Sequence, residues 1–400
     1  MSKSVIIIGG GLSGLACANR LYAMGALPSI LEASDAPGGR VRTDEVDGFL
    51  LDRGFQVYLS AYPEAGRLLD LEALDLKQFR PGALVWKDEK FHRVMDVFRC
   101  PLAAPVSVLA PIGSFWDKLR IAKLRAFLLR NELEKDQTTE DFLREFGFSD
   151  RMIDDFFRAF YGGIFLERDL RTSARMFAFT FKMFTEGYAT LPAKGMQQIP
   201  RQLAARLPAG GIHTNAAVSS VDRNSVVLQS GEKLNADVVV VATDVEVAGR
   251  LLPGFDMLPK RWRPVTGLYY SAPVSPLKEA IIALNSGNGV VNNVCVLSDV
   301  SSDYAPVGQS LISVTALAEQ ANEDTVKSEL RAWFGGQVDR WRHLRTYNIR
   351  KALPEQLPTE TGESYRRHDG VFVCGDHCSS ASIEGAIVSG KTTAEAVLTG

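Results

Sequence analysis

Val5-Ile-Ile-Ile-Gly-Gly-Gly-Leu-Ser-Gly-Leu-Ala-Cys-Ala18 is the stretch that decides the fold. Its first four residues are a β-branched run, the form a strand takes when a parallel sheet is covered on both faces. Glycines follow, and Leu12 to Met24 then repeats apolar residues at helical spacing, so the segment reads strand, turn, helix. Within the turn stands Gly9-x-Gly11-x-x-Gly14, and Glu32 closes the next apolar strand, Ser29-Ile-Leu-Glu32. A pyrophosphate must lie against backbone N–H groups at a helix N-terminus, so side chains must be absent there. Gly9 makes the tight turn, Gly11 admits the phosphates, and Gly14 lets helix and strand pack closely. Glu32 is placed to accept hydrogen bonds from adenosine ribose hydroxyls, which favours an unphosphorylated 2′ position. Leu12 and Ser13 at the helix start, and Ala33 after Glu32, complete the contacts expected of this half.

The residues that follow separate one dinucleotide from another. Gly38-Gly39-Arg40-Val41-Arg42 and Asp52-Arg53-Gly54-Phe55 form glycine-rich loops carrying a guanidinium where a flavin's diphosphate and ribityl chain would continue. Arg40 can grip phosphate with a fork that lysine lacks. Near the end, Val371-Phe-Val-Cys-Gly375-Asp376 reads as a strand whose closing carboxylate can hold a ribityl hydroxyl. Ser382-Ile383-Glu384-Gly385-Ala386 then starts a helix whose N-terminal amides can face the flavin pyrimidine and stabilise charge on the reduced ring. Beginning and end together point to FAD, in an α/β Rossmann-type domain joined to a second α+β domain of mixed antiparallel sheet and helices.

Working outward, Pro63 to Leu74, Asp117 to Glu134 and Met196 to Leu207 have helical spacing, and Ser114-x-x-Asp117 and Thr138-x-x-Asp141 are start signals. Arg151 to Leu191 is a Phe- and Met-rich helical region. His213 to Val221, Val226 to Gln229 and Asp237 to Ala242 read as strands. Gly267 to Ser271, Gly289 to Leu297 and Ser310 to Ala316 read as antiparallel strands of a second sheet, and Glu323 to Trp333 as a helix. The net charge of −2 over 400 residues, with no Lys/Arg block, gives no reason to expect a nucleic-acid partner. Five scattered cysteines without a C-x-x-C pair fit reduced thiols, hence a cytoplasmic protein. Pro101, Pro105 and Pro111 argue against Val97 to Trp116 as a spanning helix. The sequence leaves the oligomeric state open.

Gly9 to Glu32, Gly38-Gly39-Arg40, Lys194-Gly195-Met196, Ala242-Thr243-Asp244 and Gly375-Asp376 together resemble the flavin amine oxidase, phytoene desaturase and protoporphyrinogen oxidase superfamily. The resemblance implies that Val218 contacts adenine through its backbone and that Ala242 and Thr243 border the cofactor. It implies a discontinuous FAD domain of residues 1–60, 195–244 and 366–400, with 61–194 and 245–365 forming the substrate domain. Amine oxidases of this superfamily commonly carry a lysine bridged by water to flavin N5. Val265-Thr-Gly-Leu-Tyr-Tyr270, the best match to that strand, has none. No aromatic cage flanks the closing motif, and no cysteine lies shortly upstream of it, so FAD should be bound non-covalently.

His377, beside Asp376, is the one candidate for a catalytic proton acceptor, with a bonded turn histidine as the alternative. Met176, Phe177, Phe179, Phe181, Met183 and Phe184 allow either an apolar substrate tunnel or plain core. The basic Asp117 to Glu134 helix allows either a solvated face or peripheral contact with a membrane. No metal-ligand cluster is visible, and no second glycine fingerprint suggests an NAD(P)H domain. The expected activity is hydride transfer from an apolar small molecule to flavin N5, with reoxidation by oxygen or a quinone-like acceptor. The alternatives are a polyene desaturase or isomerase, a protoporphyrinogen oxidase-like enzyme, and an FAD-binding sensor or interaction protein without turnover.

Overall fold

Ser4–Ile8 pairs in parallel with Leu27–Leu31 on one side and Val238–Val241 on the other. These strands form the centre of a six-stranded sheet in the order Ile212–His213, Leu27–Leu31, Ser4–Ile8, Val238–Val241, Val371–Val373, Arg366–His368. Only the last strand runs antiparallel. Val5, Ile7, Val239 and Val240 are fully buried, which is why these strands read as unbroken apolar runs. The opening helix, Leu12–Ala23, lies against the closing helix, Ile383–Thr399. A Cβ on Gly390 would overlap the Ser13 carbonyl, so glycine is required for that approach. The structure, a computed structural model, describes residues 3–255, 261–358 and 365–399. The expected domain limits at residues 1 and 400, and stretches 256–260 and 359–364 of the expected substrate domain, lie outside the described residues.

A seven-stranded sheet follows the order Arg342–Pro354, Trp262–Ala272, Ser310–Ala316, Val291–Val296, Ile282–Asn285, Gly82–Lys87, Lys90–Met95. It is mixed, because Ile282–Asn285 and Gly82–Lys87 run parallel while the other pairs are antiparallel. Helices Ala104–Leu109, Phe115–Leu128, Thr139–Glu145, Arg158–Phe165 and Ala174–Glu186 accompany it. Both expected start signals are present: Ser114 and Asp117 form a reciprocal capping box, and Thr138 accepts from the Asp141 amide.

The Gly82–Lys87 and Lys90–Met95 hairpin escaped the sequence reading. Its turn residues Asp88 and Glu89 adopt φ of 50° and 59° without the glycine or asparagine that normally signals such a turn. Arg342–Pro354 escaped because it is a polar edge strand with one paired neighbour. Three expected helices are shorter than read: the first is Pro63–Leu68, ending in extended backbone at Leu69, the second is Phe115–Leu128, and the third is Gln198–Ala204.

Asp52 joins the two halves. Its carboxylate accepts from the Thr43 hydroxyl at 2.6 Å, the Met196 amide at 3.0 Å and the Tyr304 hydroxyl at 2.8 Å. Burial pushes this carboxyl up to about 6 from 3.8, against those three opposing hydrogen bonds. The folded chain therefore favours the neutral acid. That contribution is complete below pH 3.8 and is lost as pH rises through about 6. Its loss costs on the order of 3 kcal/mol at neutral pH. Denaturant unfolding of wild type and Asp52→Asn at about pH 4 and about pH 7 should show the difference shifting toward the variant by about 2–3 kcal/mol at the higher pH. A difference independent of pH would contradict this assignment.

Candidate cofactor and substrate cavity

A cavity of about 1270 Å3 draws its walls from both sheets and from the accompanying helices. That exceeds the roughly 300–1,000 Å3 of a typical single small-molecule site. At one end lie Gly9, Gly11, Leu12 and Ser13, with Glu32 and Ala33 beside them. An ideal Cβ on Gly11 would meet nothing within 4 Å, so this backbone faces open cavity at the helix N-terminus. Glu32 is fixed by its own loops: Oε2 accepts the Gly10 amide at 2.6 Å, and Oε1 accepts the Ser34 amide at 2.8 Å and hydroxyl at 2.7 Å. A carboxylate has further lone pairs for ribose hydroxyls. Val218 lines the same end, with Ala242 and Thr243 nearby along the wall.

Gly38, Gly39, Arg40, Gly54 and Phe55 continue the wall toward Gly375, Asp376, Ser382, Ile383 and Ala386. Of the cofactor candidates read from the sequence, Gly14 does not line the cavity. A Cβ there would overlap the Gly9 carbonyl, which is the helix-to-strand contact expected of it. The Ser13 hydroxyl donates to the Ala386 carbonyl at 2.8 Å, bridging the opening and closing helices. Glu384 points elsewhere and accepts the Glu64 and Ala65 amides at 2.8 and 2.9 Å.

Three sets of expected residues have surroundings that the sequence did not show, and one of them, His377, lies off the wall. Arg40 and Asp376, expected to bind a phosphate and a ribityl hydroxyl separately, pair with each other at 2.6 Å. Arg40 also donates to the Ala352 carbonyl at 3.2 Å and lies 5.5 Å over the Trp262 ring. These contacts leave part of its five-donor fork available. His377 is absent from the cavity wall. The short turn Asp376–Cys378 folds its ring back against Gly375, its side chain is buried, and Nε2 has no hydrogen-bond partner. Burial holds its pKa below the ordinary histidine value despite the nearby Asp376, so the ring is neutral near pH 7. Finally, the Phe/Met cluster divides by helical face. Met176, Phe181 and Phe184 reach the cavity with Thr180, whereas Phe177 and Met183 are core and Phe179 stacks on Tyr62 at 6.0 Å.

Beyond the nucleotide motifs the wall is mainly apolar, with Met152, Phe156, Phe160, Ile164, Ile282 and Leu284. Strand Trp262–Ala272 contributes Val265 and Gly267 and carries no lysine. Two lysines do reach the wall, but Lys118 donates to the Val108 and Ala110 carbonyls and Lys351 pairs with Glu246 at 2.5 Å. Sequence reading missed Asn292, Asn293 and Thr315 on this wall, and Trp262, which lines the cavity beside Arg40. Trp262 Nε1 and Asn292 Oδ1 are buried without a hydrogen-bond partner. The available signal was the amide pair Asn292-Asn293 inside the apolar run Val290 to Val296.

A glycine-bordered helix N-terminus, a fixed acid for ribose and a continuous wall from the opening to the closing motif define a FAD-dependent oxidoreductase. Among the described residues that line the cavity there is no cysteine or histidine. The sequence profile of the flavin-containing amine oxidoreductases matches residues 12–398, and the chain belongs to that family. It is similar to a 15-cis-phytoene desaturase of Glycine max, 23% identical over 99% of this chain and 79% of that protein. It is also similar to the coproporphyrinogen III oxidase of Propionibacterium freudenreichii subsp. freudenreichii, 27% identical over 62% of this chain and 58% of that one. Among solved structures, an oxidoreductase from Methanosarcina mazei superposes with a TM-score of 0.77 at 19% identity, covering 99% of this chain and all of that one. Putrescine oxidase bound to putrescine superposes at 0.75 and 16% identity, with both chains fully covered.

Proposed function

We propose that this enzyme oxidises an apolar small molecule held in the helical half of the cavity. When bound, FAD supplies a ring whose N5 accepts the hydride, and oxygen or a quinone-like acceptor then takes up the electrons. The observation that carries the reading is the continuity of one wall from the nucleotide motifs into a chamber of Phe, Met, Ile and Leu side chains. The protein's own contribution is to position the substrate and exclude water. Polar contacts from Asn292, Asn293 and Thr315 can fix its orientation. The phytoene desaturases, which match along nearly the whole chain, favour an extended polyene over a compact substrate.

The lack of a lysine on Trp262–Ala272 weighs against primary-amine chemistry. The test is anaerobic addition of phytoene, coproporphyrinogen III, protoporphyrinogen or putrescine to the FAD-loaded protein, read as loss of oxidised-flavin absorbance. Bleaching is expected with an apolar compound, phytoene first, and not with putrescine. Bleaching by putrescine alone, or rapid stoichiometric reduction by NADH or NADPH, would overturn the proposal.

A further inference from the structure

Of the fourteen large hydrophobic side chains exposed among the described residues, eight lie between Phe98 and Leu119. Leu102, Leu109 and Trp116 are 96%, 81% and 66% exposed. Such crowding is costly in water and marks a surface that meets another apolar phase. We propose that this face docks on an anionic lipid bilayer, with helices Ala104–Leu109 and Phe115–Leu128 lying in its interface.

Charge selects this occupant. Helix Phe115–Leu128 carries Lys118, Arg120, Lys123 and Arg125 against one acid, Asp117, which is fully buried and takes the Ser114 and Ser149 hydroxyls and Arg120 at 3.5 Å. Arg125 pairs with Asp96 at 3.5 Å, while Lys123 and, just past the helix end, Arg130 are exposed. The helix turns Leu124 and Leu128 inward, while Phe115, Trp116, Leu119 and Lys123 stay exposed. Apolar side chains at one end and cations farther along match acyl chains and anionic headgroups. Lys118 holds the two helices together through the Val108 and Ala110 carbonyls. No helix among the described residues is long and apolar enough to cross a membrane, so the docking is peripheral.

Position gives the docking a purpose. Val108, Phe115 and Leu119 belong both to the exposed patch and to the cavity wall, so the patch rims the cavity. An apolar molecule dissolved in lipid reaches the chamber without crossing water, where exposure of its surface is unfavourable.

The experiment is flotation of the FAD-loaded protein with phosphatidylcholine vesicles and with mixed phosphatidylcholine and phosphatidylglycerol vesicles. It compares wild type with the Leu109→Asp/Trp116→Asp double variant. Neither residue lines the cavity. Wild type should float with the mixed vesicles, less with the neutral ones and less in high salt. The double variant should lose at least about tenfold in partitioning, with flavin content and melting temperature unchanged. Wild type left in the aqueous fraction with both vesicle types would overturn the proposal, as would equal flotation of the variant. So would a concentration-dependent dimer abolished by the same double variant, which would assign the face to a second copy. The readout needs no turnover, so its failure is separate from failure of the proposed redox activity.

Discussion

Gly11→Val is expected to yield a folded protein without flavin. Gly11 has φ −71° and ψ 179°, a backbone conformation open to valine. A Cβ there meets no protein atom within 4 Å, so the fold loses nothing. The branched side chain instead occupies the space where the pyrophosphate approaches the helix amides, and FAD affinity should fall by more than about a hundredfold. Gly14→Val, one helical turn on, should behave in the opposite way, because its Cβ overlaps the Gly9 carbonyl and the strand-to-helix packing itself must give. The checks are the flavin-to-protein absorbance ratio and the melting temperature of the FAD-free proteins. Equal flavin content in wild type and Gly11→Val would show that the pyrophosphate lies elsewhere, and an unchanged melting temperature for Gly14→Val would remove the packing argument.

Thr180→Trp is the second large effect, a yellow protein with little turnover. Ala178 is the obvious small residue in the Phe/Met-rich helix, yet it packs with core residues and is absent from the cavity wall. Thr180 is on the wall, and its hydroxyl is spent within the helix, donating to the Met176 and Phe177 carbonyls. Its loss frees one group outside the helix, the buried Tyr161 hydroxyl, which also bonds the Thr180 side chain. An indole in its place fills substrate space remote from Gly11 and Glu32, so flavin content should hold while substrate-dependent flavin reduction slows by at least about tenfold. Ala178→Trp should instead lower the melting temperature by overpacking the core. Normal flavin reduction by Thr180→Trp would place the substrate outside the helical half of the cavity.

Neither asymmetry is visible along the chain. Gly11 and Gly14 belong to one motif, and Ala178 and Thr180 are two residues apart in the same apolar helix. What separates each pair is which neighbour occupies the space around the Cβ, and those neighbours come from distant segments. Arg40 and Asp376 make the same point: both line the cavity, but their 2.6 Å pairing spans 336 positions. His377 shows the converse, since proximity to Asp376 in sequence said nothing about a turn that folds its ring away from the wall.

The sequence by itself determined the parallel Rossmann-type core and the glycine-rich segments that come to line one cavity. Those features rest on local rules: β-branched runs for doubly covered strands, glycines where phosphate must meet backbone, an acid at the next strand end. Only the tertiary structure decided which face of the Phe/Met helix is substrate wall, that a polar edge strand and a hairpin without a glycine turn complete the second sheet, and that Asp52 joins the two halves. Those features depend on contacts between segments far apart in the chain, where packing and burial override local preference.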